Sequence, residues 1–147
     1  MDIPPEICVP ICIEQGSVFN FFIDHGHSKR QSKNRYFVIL NRNPKTDKVL
    51  ILVTSTTQVT KRLKFINRER ISKKTIVEVS AKEYSVFPND SAFDCNNVFE
   101  VSISALVRKI EDGGSMGYPE ISKSILLKLI DGVKASPLIT EEIKKLL

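Results

Sequence analysis

Two short stretches hold the residue types that could do chemistry. "HSKRQSKNR", residues 27–35, packs Lys29, Arg30, Lys33 and Arg35 ahead of an apolar run, and "TSTT" sets the hydroxyls of Thr54, Ser55, Thr56 and Thr57 at the end of another. That combination suits phosphate. A guanidinium meets two nonbridging oxygens at once, and hydroxyls donate to the oxygens that remain. His25 and His27 are the only histidines. Two imidazoles without an evident carboxylate partner are too few for a metal cage, and they read as exposed loop residues or as a base beside an anionic substrate. A plainer account fits the same residues: an arginine snorkelling at a strand edge and a Ser/Thr run that is good strand and turn chemistry.

Other signatures are missing. The chain has no Gly-rich phosphate loop, no G-x-S-x-G elbow and no H-E-x-x-H. Cys8 and Cys12 flank Val-Pro-Ile, and that proline argues against the helical turn that activates paired thiols, so burial as small hydrophobes is the expected role. No metal and no cofactor is expected.

These residues need elements to hold them. At 147 residues, 41% hydrophobic and 27% charged, the chain can bury about 70% of its unfolded surface in one core, so a single domain over residues 1–147 is expected. The net charge of +5 is unevenly spread: residues 61–74 carry seven cations against Glu69 alone. Such segments attract polyanions, or serve as solvated loops. Three cysteines, an acidic proline-rich start and the lack of an apolar run of about 18 residues point to a cytoplasmic protein that neither spans nor enters a membrane.

Pro4, Pro5 and Pro10 predict an extended arm over residues 1–15. "GSVFNFFI" reads as a first strand. "RYFVILN" and "VLILVTST" read as strands buried on both faces, and "TIVEVS" as a half-exposed one. "SAFDCNNVFEVS" supplies one or two more. Helices follow: a turn capped by Ser102 or Ser104, a helix from Glu120 that Gly132 ends, and within residues 134–147 an additional helix capped by Thr140. The expected class is α+β, mainly β, with a small twisted sheet or partly closed barrel.

The order of these features resembles the MazF/PemK-like toxin family of bacterial toxin–antitoxin modules. Gly16-Ser17-Val18, Arg35 to Asn41, Thr54-Ser55, Val77-Glu78-Val79 and Asp90-Ser91 stand where that family has, in turn, its G-D-[VI] start, its arginine-led strand, its hydroxyl cluster, its V-E-[VIL] strand and its D-S segment. The match runs over residues 13–133. Tyr36 replaces the family's proline after the arginine, Ser28-Lys29-Arg30-Gln31 replaces Gly-Ser-Glu-Gln, and Asn96 to Phe99 replaces a Gln-x-Arg stretch.

What the resemblance implies is an SH3-like barrel of short antiparallel strands with C-terminal helices, forming a homodimer that cleaves single-stranded RNA without a metal. Arg35 and Thr54 would be the catalytic pair. His25, His27, Lys29, Arg30, Lys33, Ser55 and Thr56 would bind RNA, with a histidine standing in for the missing acid. An acidic antitoxin would be the protein partner. Two alternatives stay open: a gyrase-binding toxin of the CcdB-like branch, and a nonenzymatic nucleic-acid-binding barrel.

Overall fold

In the sheet, alternate side chains on the same strand face opposite layers, and here both layers are apolar. Phe37 and Ile39 of β2 (Asn34–Ile39) share one cluster with Leu50 and Leu52 of β3 (Leu50–Thr56), while Val38, Ile51 and Val53 enter another. A sheet buried on both sides needs cover on both. A computed structural model describing residues 3–23 and 34–147 supplies it. Helices α1 (Pro5–Cys12) and α3 (Ile103–Glu111) close one face through Val9, Leu106 and Ile110. Helix α4 (Lys123–Ala135) closes the other through Ile125, Leu129 and Val133, joined by Leu147 beyond α5 (Glu141–Lys144).

The architecture is α+β, with five antiparallel strands in the order β1-β2-β3-β5-β4. β1 (Val18–Phe22) and β4 (Ile76–Val79) end that order. Along β1 the outer edge is partly used: Asn20 and Ser115 exchange backbone bonds of 2.9 and 2.7 Å. β5 (Ser91–Val101) is one strand of 11 residues, and it pairs with β3 and β4. Its register against β3 shifts between Val53, which faces Val98, and Ser55, which faces Phe93, so the extra residues of the irregularity lie on β5.

Ser102 and Thr140 cap α3 and α5, accepting from Ala105 N and Ile143 N. Each cap of this kind is worth about 1 kcal/mol. Four expectations are corrected. Cys8 and Cys12 are not buried as small hydrophobes off a helix: both lie on α1, Cys8 half-buried and Cys12 exposed. Residues 1–15 do not form an extended arm: α1 starts with Pro5 at a position whose N–H has no helical partner anyway, and burial of Val9 and Ile13 against α3 offsets the bond that Pro10 removes. The basic segment 61–74 is not a loop, because α2 (Val59–Arg68) seats Ile66, with Val59 and Phe65 beside it, on Ile76 and Ala92. Nor does Gly132 end α4. It lies inside the helix, where an added Cβ would come within 2.7 Å of the Lys74 carbonyl and 2.8 Å of Cys95 Sγ, so its role is close approach.

Among the described residues no helix is long and apolar enough to cross a membrane.

Candidate functional site

Strand pairing brings the two chemical stretches together. Phe37 of β2 faces Thr54 of β3, and Val38 faces Val53. Arg35 and Tyr36, at the start of β2, therefore lie at the same end of the sheet as Ser55 and Thr56, at the end of β3. A cavity of about 230 Å³ opens there. Arg35, Ser55, Thr56 and Thr57 line one side, and Phe87 and Ser91 lie on the wall formed by the β4–β5 connection and the start of β5.

The electrostatics favour an anion. Among the described residues no Asp or Glu lines the cavity, and Arg35 has no acidic partner. Asp90, close in sequence, is engaged elsewhere, where its Oδ1 accepts from Ala81 N at 2.9 Å. Gln58 also lines the cavity and is the N-cap of α2, whose first turn has no side-chain cap. The positive end of that helix's dipole therefore lies beside the cavity. The Thr56 Oγ1 accepts from Gln58 N at 3.1 Å, which fixes the turn joining β3 to the helix.

One wall is aromatic. Tyr36 packs on Phe87 at 5.2 Å and edge-on to Tyr118 at 5.5 Å between ring centroids. Burial, then the neighbouring Tyr118, pushes the Tyr36 phenol above its ordinary pKa, so it presents a neutral ring at pH 7. Aromatic side chains in such a lining offer a surface on which an unstacked base can lie.

Of the residues singled out from the sequence, Arg35, Ser55 and Thr56 meet at this cavity. Thr54 does not line it. Its buried hydroxyl donates to the Tyr36 carbonyl at 3.2 Å, tying β3 to the residue next to Arg35. His25, His27, Lys29, Arg30 and Lys33 lie outside the described residues. Sequence reasoning missed Asn34, Gln58 and Asn89, which add amides to the lining. The signal for Gln58 was present: Val59, Ile66 and the cations between them repeat at helical spacing, and a helix starting there must leave its first N–H groups near the end of β3.

Among the described residues no group of three or more His, Cys, Asp or Glu could hold a metal ion. Asn96, within the stretch that departs from the MazF/PemK pattern, lies away from the cavity. Its amide donates to Thr75 Oγ1 at 2.9 Å and Asp94 Oδ1 at 3.1 Å, and its carbonyl accepts from Ser136 Oγ at 2.7 Å. No family model matches the chain, and no curated protein matches it.

Proposed function

We propose that this chain is a metal-independent endoribonuclease acting on single-stranded RNA, the toxin of a toxin–antitoxin module. The observation that carries the reading is the meeting of Arg35 with Ser55 and Thr56 at a cavity with no carboxylate among its described lining residues, beside a helix start without a side-chain cap and the Tyr36 ring. Such a lining complements a phosphodiester and an adjoining base. It fits neither a cation nor an apolar ligand.

In this reaction the ribose 2′-oxygen attacks the adjacent phosphorus and the bond to the 5′-oxygen breaks. The products are a 2′,3′-cyclic phosphate and a 5′-hydroxyl. Negative charge grows on the nonbridging oxygens as the phosphorane forms, and Arg35 with the Ser55 and Thr56 hydroxyls neutralises it. Thr54 acts through the strand, holding the Tyr36 carbonyl and so the Arg35 backbone in place. The proton leaving the 2′-hydroxyl is assigned to His25 or His27, and water protonates the departing 5′-oxygen. An SH3-like barrel, a homodimer and an acidic antitoxin belong to the same proposal. A disordered acidic peptide would compete with RNA for Arg35.

The test is incubation of the purified protein with mixed-sequence single-stranded RNA in EDTA, followed by end-group analysis. Cyclic phosphate ends are expected, and Arg35→Ala should slow cleavage by about 10²–10³-fold, the scale for one lost electrostatic donor. Cleavage that needs a divalent ion, or that survives Arg35→Ala at full rate, overturns the reading. One observation favours a second reading: neither a carboxylate nor an imidazole is among the described lining residues. Tight RNA binding without cleavage would make the protein a nonenzymatic RNA-binding domain.

A further inference from the structure

Helix α2 begins at the cavity and continues as a cationic ridge. Thr57 and Gln58 line the cavity, and from Thr60 onward a second groove, of about 540 Å³, runs beside Lys61, Lys64, Phe65 and Arg68. Lys61, Lys64 and Arg68 recur at helical spacing on the exposed side, opposite the buried Ile66. They span about 10 Å of helix axis. The helix carries no acid, and Lys61 and Lys64 form no ion pair among the described residues.

The inner anchor is equally specific. Arg62 Nη1 lies 3.7 Å from the buried Asp94 Oδ2, and its buried Nε has no hydrogen-bond partner. That pair fixes the helix on β5 and leaves Lys61 and Lys64 without an ion pair among the described residues, while Arg68 Nε lies 3.3 Å from Glu69 Oε1 in an exposed pair. Phe65 adds a ring to the groove, with the Arg68 guanidinium 5.7 Å from its centroid. Cations interleaved with an aromatic ring suit a strand whose bases are unstacked, since each base offers a face to the ring and each phosphate a charge to the lysines.

We infer that α2 is a docking path for the nucleotides flanking the one held at Arg35, so that the RNA runs from the cavity over the start of α2 and along Lys61, Lys64, Phe65 and Arg68. This rests on the proposed RNA function. It adds that the footprint extends well beyond the cut site and that affinity grows with the length of single strand.

The experiment measures binding of uncleavable 2′-O-methyl oligonucleotides, a trimer and a dodecamer of mixed sequence and a duplex of the dodecamer, across a salt series. The native protein should bind the single-stranded dodecamer at least tenfold tighter than the trimer. In Lys61→Gln/Lys64→Gln/Arg68→Gln that length advantage should vanish, and the slope of log K against log salt for the dodecamer should fall by about 2, the loss of three single-strand phosphate contacts. Phe65→Leu keeps an apolar side chain on Ile76 and Ala92, and should cost the dodecamer about tenfold by loss of stacking. Equal affinity for trimer and dodecamer, an unchanged slope in the triple variant, or a duplex bound as tightly as the single strand overturns the α2 path. If RNA is cut in an Arg35-dependent way while these results appear, the path alone falls. If the native protein binds no RNA, the path and the proposed function fall together.

Discussion

Replacing Asn96 by alanine tests whether this buried amide holds the sheet to the end of α4. The Asn96 side chain makes three bonds in a buried network that joins β5, the turn at Thr75 and the end of α4. Truncation leaves the fully buried Ser136 hydroxyl without an acceptor, a cost of about 1–3 kcal/mol, and removes a bond to the Asp94 carboxylate worth about 1.5–3 kcal/mol. The expected loss is about 3–5 kcal/mol, a large part of the roughly 5–15 kcal/mol that holds a typical domain together. Urea unfolding followed by circular dichroism measures it. Ser136→Ala alone should cost less, since it leaves the Asn96 bonds to Thr75 and Asp94 in place and loses only its own bonds to Asn96 Oδ1 and Leu138 N, and the double variant should be more stable than the sum of the singles implies by about 1 kcal/mol. Additivity within about 0.5 kcal/mol would refute the coupling, and a neutral Asn96→Ala would refute the network itself.

Gly132→Ala should lower the urea midpoint: a methyl group 2.7 Å from the Lys74 carbonyl overpacks the α4 contact by about 1–3 kcal/mol, against about 1 kcal/mol gained in helix propensity. Burial, reinforced by Tyr36 and Tyr118, pushes the Tyr84 phenol up to about 12 from an ordinary value of 10. Its neutral form is favoured in the fold, so that stability is fully present below about pH 10 and is lost as pH rises towards 12; urea midpoints at pH 9 and 11 should differ, and less so in Tyr84→Phe. Burial, and then Asp94, pushes the Cys95 thiol up to about 12, so a thiol reagent at pH 8 should label Cys8 and Cys12 in the native protein and reach Cys95 only after unfolding.

Both hydrophobic layers were legible in the chain. "RYFVIL" and "LILVTS" are apolar at nearly every position, and strands of that kind have two faces to bury, so cover on both sides follows from the pleat alone. Ser102 and Thr140 were legible as caps for a similarly local reason, because a hydroxyl three residues ahead of an unpaired N–H needs nothing from the rest of the fold. Arg35 and the Ser55–Thr56 hydroxyls stood out by residue type as groups able to meet an anion.

Their meeting was a different matter. It depends on an antiparallel register, on the register shift between Val53 and Ser55, and on α2 beginning where β3 stops. Four residues show why such facts stay hidden in a linear chain. Pro10 opposes a helix locally, yet α1 forms because Val9 and Ile13 find α3, about a hundred residues away in sequence. Gly132 carries the mark of a helix end, and only the approach of Lys74 and Cys95 makes it a contact instead. Thr54 and Ser55 differ little as residue types, but the strand geometry turns one hydroxyl to the Tyr36 carbonyl and places the other at the cavity. Periodicity and capping are set by neighbours within a few residues and can be read directly. Which hydroxyl is free, which glycine is crowded and which helix start faces an arginine are set by long-range packing, and only the tertiary structure decides them.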